Sequence, residues 1–232
     1  MTTFRFNYFL FLKRNIMNAN WILSIYRIVI PLVAVMAFVN CSGSNGHDEK
    51  HQIVDLNNRY RSLIQEQFQT KSRHFNADTR YLIIVDYSIP SNSNRLFVWD
   101  TEQDEIVEKF WCAHGFGGSS TADKPEFSNA MGSNCSSLGW FLVDKSVGVS
   151  ATYGYRYHAV DGLDTCNSNA RSRQLLIHPW SSVTRDYQAK IQHPMDLDYR
   201  SAGCFTTTDE GFKTIDRYIK SCQKRLLLYA IN

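Results

Sequence analysis

A mainly β domain with a few short helices is the fold class this sequence predicts, on three observations. Short apolar runs recur between Tyr81 and Cys112, each closed by polar or turn-forming residues. Gly115 to Gly139 is rich in Gly, Ser and Asn and lacks periodic apolar positions, so it reads as one long ordered loop held by Phe127, Leu138 and Trp140. Helical periodicity is confined to one segment before the strands and one near the end, and no internal repeat interrupts this order. The expected organisation is a leader over residues 1–40, a tether and amphipathic helix over 41–75, and the main domain over 76–232.

Trp21 to Val39 is almost wholly apolar and follows Lys13 and Arg14, with Met17 as an alternative start. Its uninterrupted core, Ile28 to Val39, is only twelve residues. A helix that crosses hydrocarbon needs roughly twenty, so the segment reads as an export signal. It ends at Asn40-Cys41-Ser42-Gly43, which resembles a bacterial lipoprotein cleavage site. That resemblance implies lipidation of Cys41, a membrane tether and a cell-envelope location facing the periplasm. A plain secreted chain or an uncleaved anchor, with Cys41 incidental, is the alternative.

Ser42 to Lys50 is small, polar and charged and reads as a tether. From Ile53, the residues Leu56, Tyr60, Leu63, Ile64 and Phe68 recur at three- and four-residue steps, which is one face of a helix. Tyr81 to Tyr87 is a continuous apolar run suited to a buried strand. Arg95 to Trp99 and Ile106 to Cys112 complete a meander with it. Trp140 to Asp144 and Gln174 to His178 read as further strands. Thr208 or Asp209 can cap a short helix that carries Phe212, Ile215 and Ile219 on one face. Leu226 to Ile231 reads as a last buried strand.

Composition bounds the function. Hydrophobic residues make up 44% and charged residues 20%, which is ordinary globular composition. A formal net charge of +3 without a Lys/Arg run excludes a strong nucleic-acid binder. The six cysteines are Cys41, Cys112, Cys135, Cys166, Cys204 and Cys222, with no Cys-x-x-Cys among them. A zinc ribbon or thioredoxin-like site is therefore not expected, and neither metal nor organic cofactor is called for. With Cys41 and Cys204 set aside, four cysteines leave room for two disulfides or for free buried thiols.

The chemistry concentrates in Tyr199-Arg-Ser-Ala-Gly-Cys204-Phe-Thr. Gly203 removes a side chain next to the sulfur and permits a tight turn. Amide N–H groups at such a turn can face an oxyanion, and the Ser201 hydroxyl can buttress the loop or add a donor. A thiol is a weak nucleophile until it loses its proton, commonly to a neighbouring imidazole. His178, at the end of the Leu175-Leu-Ile strand with Pro179 stopping pairing behind it, is the candidate base. Cys204 then attacks an amide carbonyl and passes the acyl group on. His114-Gly115 is a second place of interest, either lining the cleft or serving the loop's own hydrogen bonding. His158 and His193 read as structural or surface residues, and Asp161 to Asp164 as a turn.

Ile177-His178 followed by Ser201-Ala-Gly-Cys204 resembles the active-site signature of the L,D-transpeptidase (YkuD-like) catalytic domain. Agreement continues, in order, through Val85 to Ser88, Ala113 to Gly115, Phe127 to Asn129, Gly132-Ser133, Ser136 to Gly139, Asp161 to Leu163 and Asn169 to Arg173. The chain is similar in particular to the murein L,D-transpeptidase catalytic domain family over about residues 80–229. The resemblance implies a β-sandwich-type catalytic domain that works without a cofactor on peptidoglycan stem peptides. The acyl donor would be the third residue of a stem tetrapeptide, D-Ala the leaving group, and a second stem or water the acceptor. It implies Cys204 as nucleophile, His178 as base, and Ser201 and Gly203 as their loop partners. His114, Gly115 and Ser137 fall in matching stretches and are the expected substrate contacts. Carbapenem-type β-lactams would acylate Cys204.

Two positions depart from the common signature. Ala202 stands where a His is usual, and Thr206 stands where an Arg often meets a substrate carboxylate. That contact then falls to Arg171, Arg173 or Arg200. The changed surroundings of Cys204 also suit an alternative, a non-catalytic envelope lipoprotein that binds peptidoglycan. A thiol hydrolase of other substrates is a further reading, although the papain-like order of Cys before His is reversed here.

Overall fold

The computed structural model describes residues 44–180 and 201–232. The leader, Cys41, His193, Tyr199 and Arg200 lie outside the described residues. By internal contacts the chain divides into residues 1–56 and 57–232; the second unit holds the sheet. No described helix is long and apolar enough to cross a membrane.

Helix α1 spans Ser44–His74. The part read as a tether, from Ser44 to Lys50, is therefore helical. Nothing in it stops a helix: it lacks Pro, and one Gly costs only about 1 kcal/mol once the following turns exist. Tyr60, Ile64 and Phe68 are buried along one face. Tyr60 packs on Phe97 and Phe68 on Trp140, with ring centroids 5.6 and 6.5 Å apart. Lys71, Arg73 and His74 in the last turn complement the helix dipole.

Strands β1 (Tyr81–Asp86), β2 (Leu96–Asp100) and β3 (Glu105–Phe110) form the antiparallel meander. β4 (Gly139–Val143) pairs antiparallel with β6 (Arg156–Gly162), and β5 (Gly148–Val149) makes a hairpin with β6. β7 (Leu176–Pro179) lies antiparallel to β6 and parallel to β8 (Phe205–Thr207). β9 (Leu227–Ile231) runs parallel to β1 and antiparallel to β4. The order is β3-β2-β1-β9-β4-β6-β7-β8 in one mixed sheet, with β5 off the path.

The two ends of this sheet approach each other. Ala113, just past β3, donates its N–H to the Thr206 carbonyl of β8 at 2.8 Å, and the Thr207 hydroxyl donates to the Trp111 carbonyl at 2.7 Å. The sheet is thus a near-closed barrel in place of the two stacked layers of a sandwich. The steady coiling of twisted strands brings the edges together. Alternation sorts the side chains: Ile83, Val85, Leu96, Val98, Phe141, Val143, Ile177, Phe205 and Leu228 share one core.

Helix α2 (Asp209–Ser221) packs into that core with Phe212, Ile215 and Ile219, each worth about 1.5–3 kcal/mol when fully buried. Thr208 caps it, its Oγ1 accepting the Gly211 N–H at 3.0 Å. The five described cysteines are all free thiols.

Candidate active site

The parallel register of β7 and β8 positions the two expected catalytic residues. Ile177 pairs with Phe205, and both side chains enter the core. His178 pairs with Thr206, so strand alternation turns Leu176, His178, Cys204 and Thr206 to the opposite face. Cys204 is the diagonal neighbour of His178, a separation of roughly 7–8 Å between Cα atoms for such pairs.

The imidazole is tightly held. His178 is buried, and its Nδ1 donates to the Pro179 carbonyl at 3.0 Å. That bond puts the proton on Nδ1 and the lone pair on Nε2. Nε2 accepts from the Thr206 hydroxyl at 3.1 Å. The Tyr155 ring stacks on the imidazole with centroids 4.3 Å apart and planes 8° from parallel. Burial lowers the His178 pKa below its usual 6.5, against a smaller opposing effect of the Pro179 carbonyl. The ring is neutral at pH 7 and able to accept a proton.

Cys204 Sγ lies 3.6 Å from the Gln174 carbonyl. Burial pushes its thiol up to about 11, opposed by the Leu176 backbone and the Arg173 guanidinium. The resting site therefore holds a protonated thiol and a neutral imidazole on one strand face, with amide and guanidinium groups already placed to favour the thiolate when it forms.

The turn before the sulfur is built around Ser201. Its hydroxyl donates to the Cys204 carbonyl at 2.8 Å and accepts the Gly203 N–H at 3.1 Å. Ser201 thus buttresses the loop, and the Gly203 amide is engaged there instead of facing an oxyanion. Gly203 has φ +110°, and a Cβ on it would sit 2.5 Å from the Cys135 carbonyl oxygen. Only glycine fits this position.

Residues 50–229 match the family model for the L,D-transpeptidase catalytic domain. The chain belongs to this family. No curated protein matches it. Among solved structures it is similar to the L,D-transpeptidase (residues 123-326) from Xylanimonas cellulosilytica DSM 15894, at 11% identity and a TM-score of 0.34. That similarity covers 66% of this chain and 61% of the other, so the chain spans less than two thirds of that structure.

In this L,D-transpeptidase domain the remaining expected contacts divide clearly. His114 is fully buried, and its Nδ1 accepts from Arg95 Nη2 at 2.7 Å. It acts on the site through its backbone, its carbonyl accepting the Ser201 N–H at 2.7 Å. Gly115 bridges to Ser201 and donates its N–H to Ser136 Oγ at 2.9 Å. Ser137 is also buried; its hydroxyl donates to the Ser128 carbonyl and accepts from Arg173. All three are buried, and each takes part in the hydrogen bonding that orders the 113–139 loop.

The arginines differ as well. Arg171 is committed to Asp161 at 2.7 Å and Asp144 at 2.9 Å. Arg173 donates to the Ser128 and Cys135 carbonyls and to Ser137, and its charge acts on Cys204. Arg173 is thus the arginine set beside the sulfur, while Arg200 lies outside the described residues. His158 is structural, its ring nitrogens facing the Asp144 carbonyl at 2.8 Å and Asp216 at 3.1 Å.

Sequence reasoning missed Arg95, Tyr155 and the bond made by Thr206. Arg95 is fully buried and donates to the Cys112 carbonyl at 2.7 Å as well as to His114. At the start of an apolar run it reads like an ordinary charged flank. Tyr155 lies in a hairpin that carried no strand signal.

Proposed function

We propose that this chain transfers acyl groups on peptidoglycan stem peptides, with Cys204 as nucleophile and His178 as base. The observation that carries the reading is the shared face of β7 and β8, where a neutral imidazole with its lone pair on Nε2 neighbours the only described cysteine next to a positive-φ glycine turn. Membership in the L,D-transpeptidase catalytic domain family supports it.

In the first half-reaction the Cys204 thiol gives its proton to Nε2 as sulfur bonds to the carbonyl carbon of the third stem residue. The Leu176 amide and Arg173 favour the developing thiolate. The C–N bond to D-Ala then breaks, and the imidazolium returns the proton to the departing amine. A thioester remains. In the second half an amine or water attacks it, His178 takes the attacker's proton, and Cys204 leaves and recovers it. Transpeptidation and carboxypeptidation differ only in that acceptor. Lipidation at Cys41 would tether the domain at the cell envelope, within reach of its polymer substrate.

A second reading rests on a specific observation: Nε2 is occupied by Thr206 and the sulfur faces the Gln174 carbonyl. A domain fixed in that arrangement would bind peptidoglycan without turning it over. Incubating the mature chain with tetrapeptide muropeptides and reading products by mass separates the cases. A joined dimer marks a transpeptidase and loss of D-Ala alone a carboxypeptidase; recovered substrate would overturn the acyl-transfer reading.

A further inference from the structure

The β5–β6 hairpin places an aromatic surface against the candidate base. Tyr153 and Tyr155 stack on each other with centroids 5.8 Å apart and planes 4° from parallel. Tyr155 in turn stacks on His178 at 4.3 Å. Trp180 stands edge-on to both tyrosines, at 5.6 and 6.1 Å, and its backbone is tied to β8 through the Thr207 carbonyl at 2.8 Å.

This surface is built, not accidental. Ser150 holds the hairpin tip: its N–H donates to the Tyr155 carbonyl at 2.9 Å, its carbonyl accepts from Gly154 at 2.8 Å, and its hydroxyl accepts from Tyr153 N at 3.2 Å. The turn bends at Gly154, φ +71°, which brings the rings on either side of it into register. Yet the stack ends in water, since Tyr153 is 65% exposed. A large aromatic face held rigid and left open is unusual on a surface with no partner. Tyr155 also lies within electrostatic reach of Cys204, so the open face continues from the reacting pair.

We propose that the Tyr153–Tyr155–Trp180 surface is a glycan subsite that takes a pyranose ring of the polymer carrying the stem peptide. This rests on the acyl-transfer reading for the identity of the polymer. The distances fit. The exposed ring lies two stacking steps, 4.3 and 5.8 Å, from the imidazole. The third stem residue and the two that join it to the sugar span about 10 Å when extended, at roughly 3.3–3.6 Å each. Tyr155 lies within electrostatic reach of Cys204 and Tyr153 is 5.8 Å beyond Tyr155, so a stem of that length held at Cys204 can carry its sugar to the open tyrosine face. The chemistry fits too: a pyranose offers a flat C–H face to the ring and hydroxyls to the rim, and an aromatic body with a polar tip suits both.

The test titrates peptide-free glycan strands, prepared by amidase treatment, into the intact chain and its Tyr153→Ala and Tyr153→Phe variants. Circular dichroism and the melting temperature check that the variants fold. Tyr153→Ala should weaken binding about tenfold, while Tyr153→Phe, which keeps the face, should stay within about twofold. In turnover, the rise in KM for Tyr153→Ala should be larger on disaccharide-linked tetrapeptide than on sugar-free tetrapeptide. No glycan binding by the unaltered chain, unweakened binding by Tyr153→Ala, or an equal KM rise on both substrates would overturn the subsite. Glycan binding without any D-Ala release by the unaltered chain would instead remove the acyl-transfer reading and leave the subsite standing.

Discussion

The Thr206 hydroxyl donates to His178 Nε2 at 3.1 Å, from the strand position two residues beyond Cys204. It therefore sits on the imidazole atom that takes the thiol proton in the proposed mechanism. The contact fixes the orientation of the ring on that face, and it must give way as Nε2 takes the thiol proton. Thr206→Val keeps the shape of the side chain and removes this bond. We expect kcat for D-Ala release to fall about tenfold with KM nearly constant, and Thr206→Ser to recover most of it. Unchanged kcat in Thr206→Val would show that the hydroxyl positions nothing.

Removing the reacting atoms should have larger effects. Cys204→Ala should abolish both D-Ala release and the mass adduct formed with a carbapenem. His178→Ala should lower kcat by about 10²–10⁴, the usual worth of a general base. An adduct of undiminished yield on Cys204→Ala would assign the nucleophile elsewhere.

The pH profile follows from the two shifts. His178 is held below 6.5, so kcat/KM should be on its plateau at pH 7 and fall only as acid protonates the ring below that value. The Cys204 thiol is pushed up to about 11, so free thiolate is scarce at neutrality. Alkylation by iodoacetamide should be slow at pH 7 and rise toward pH 11. A rate already level by pH 6 would reveal a preformed thiolate–imidazolium pair and contradict the general-base scheme.

Gly203→Ala tests the turn. At φ +110°, with the Cys135 carbonyl 2.5 Å from the added carbon, the backbone must move. We expect a loss of about 2–4 kcal/mol in unfolding free energy together with loss of turnover. Wild-type chemical denaturation would show that the loop tolerates the change.

Acid stability should depend on Asp216. Burial raises this carboxyl, but hydrogen bonds from Lys220 and His158 outweigh it and hold it below the usual carboxylate range. Its contribution is present above about pH 4 and is lost as pH falls through the folded value. Asp216→Asn should cost about 1–3 kcal/mol at pH 7 and flatten the acid limb of the stability curve. Identical limbs in the two proteins would rule this out.

The parts of the fold that were legible in the sequence are those where one force acts alone. Tyr81 to Val85 is apolar because β1 is buried along almost its whole length, and Asp86 at its end is satisfied by the Tyr60 hydroxyl. Helix α2 combined a cap with a clean apolar stripe. The β5–β6 hairpin was hidden because β6 buries His158 where an apolar residue would show alternation. β8, at three residues, is too short for any period. Within the site, Cys204 and His178 stood out by their chemistry, whereas Thr206 and Arg95 act through partners distant in sequence. The closure of the sheet on itself was equally invisible, since it depends on bonds between Ala113 and Thr206.

β9 sits between β1 and β4, although it follows every other strand in the chain. Until it has been synthesised, the β1–β3 meander and the β4–β8 half have no shared ladder to zip them together. Folding must wait for long-range pairing and is expected to be slow and all-or-none. A growing polypeptide with this topology cannot lock its barrel before β9 has emerged to join the two halves.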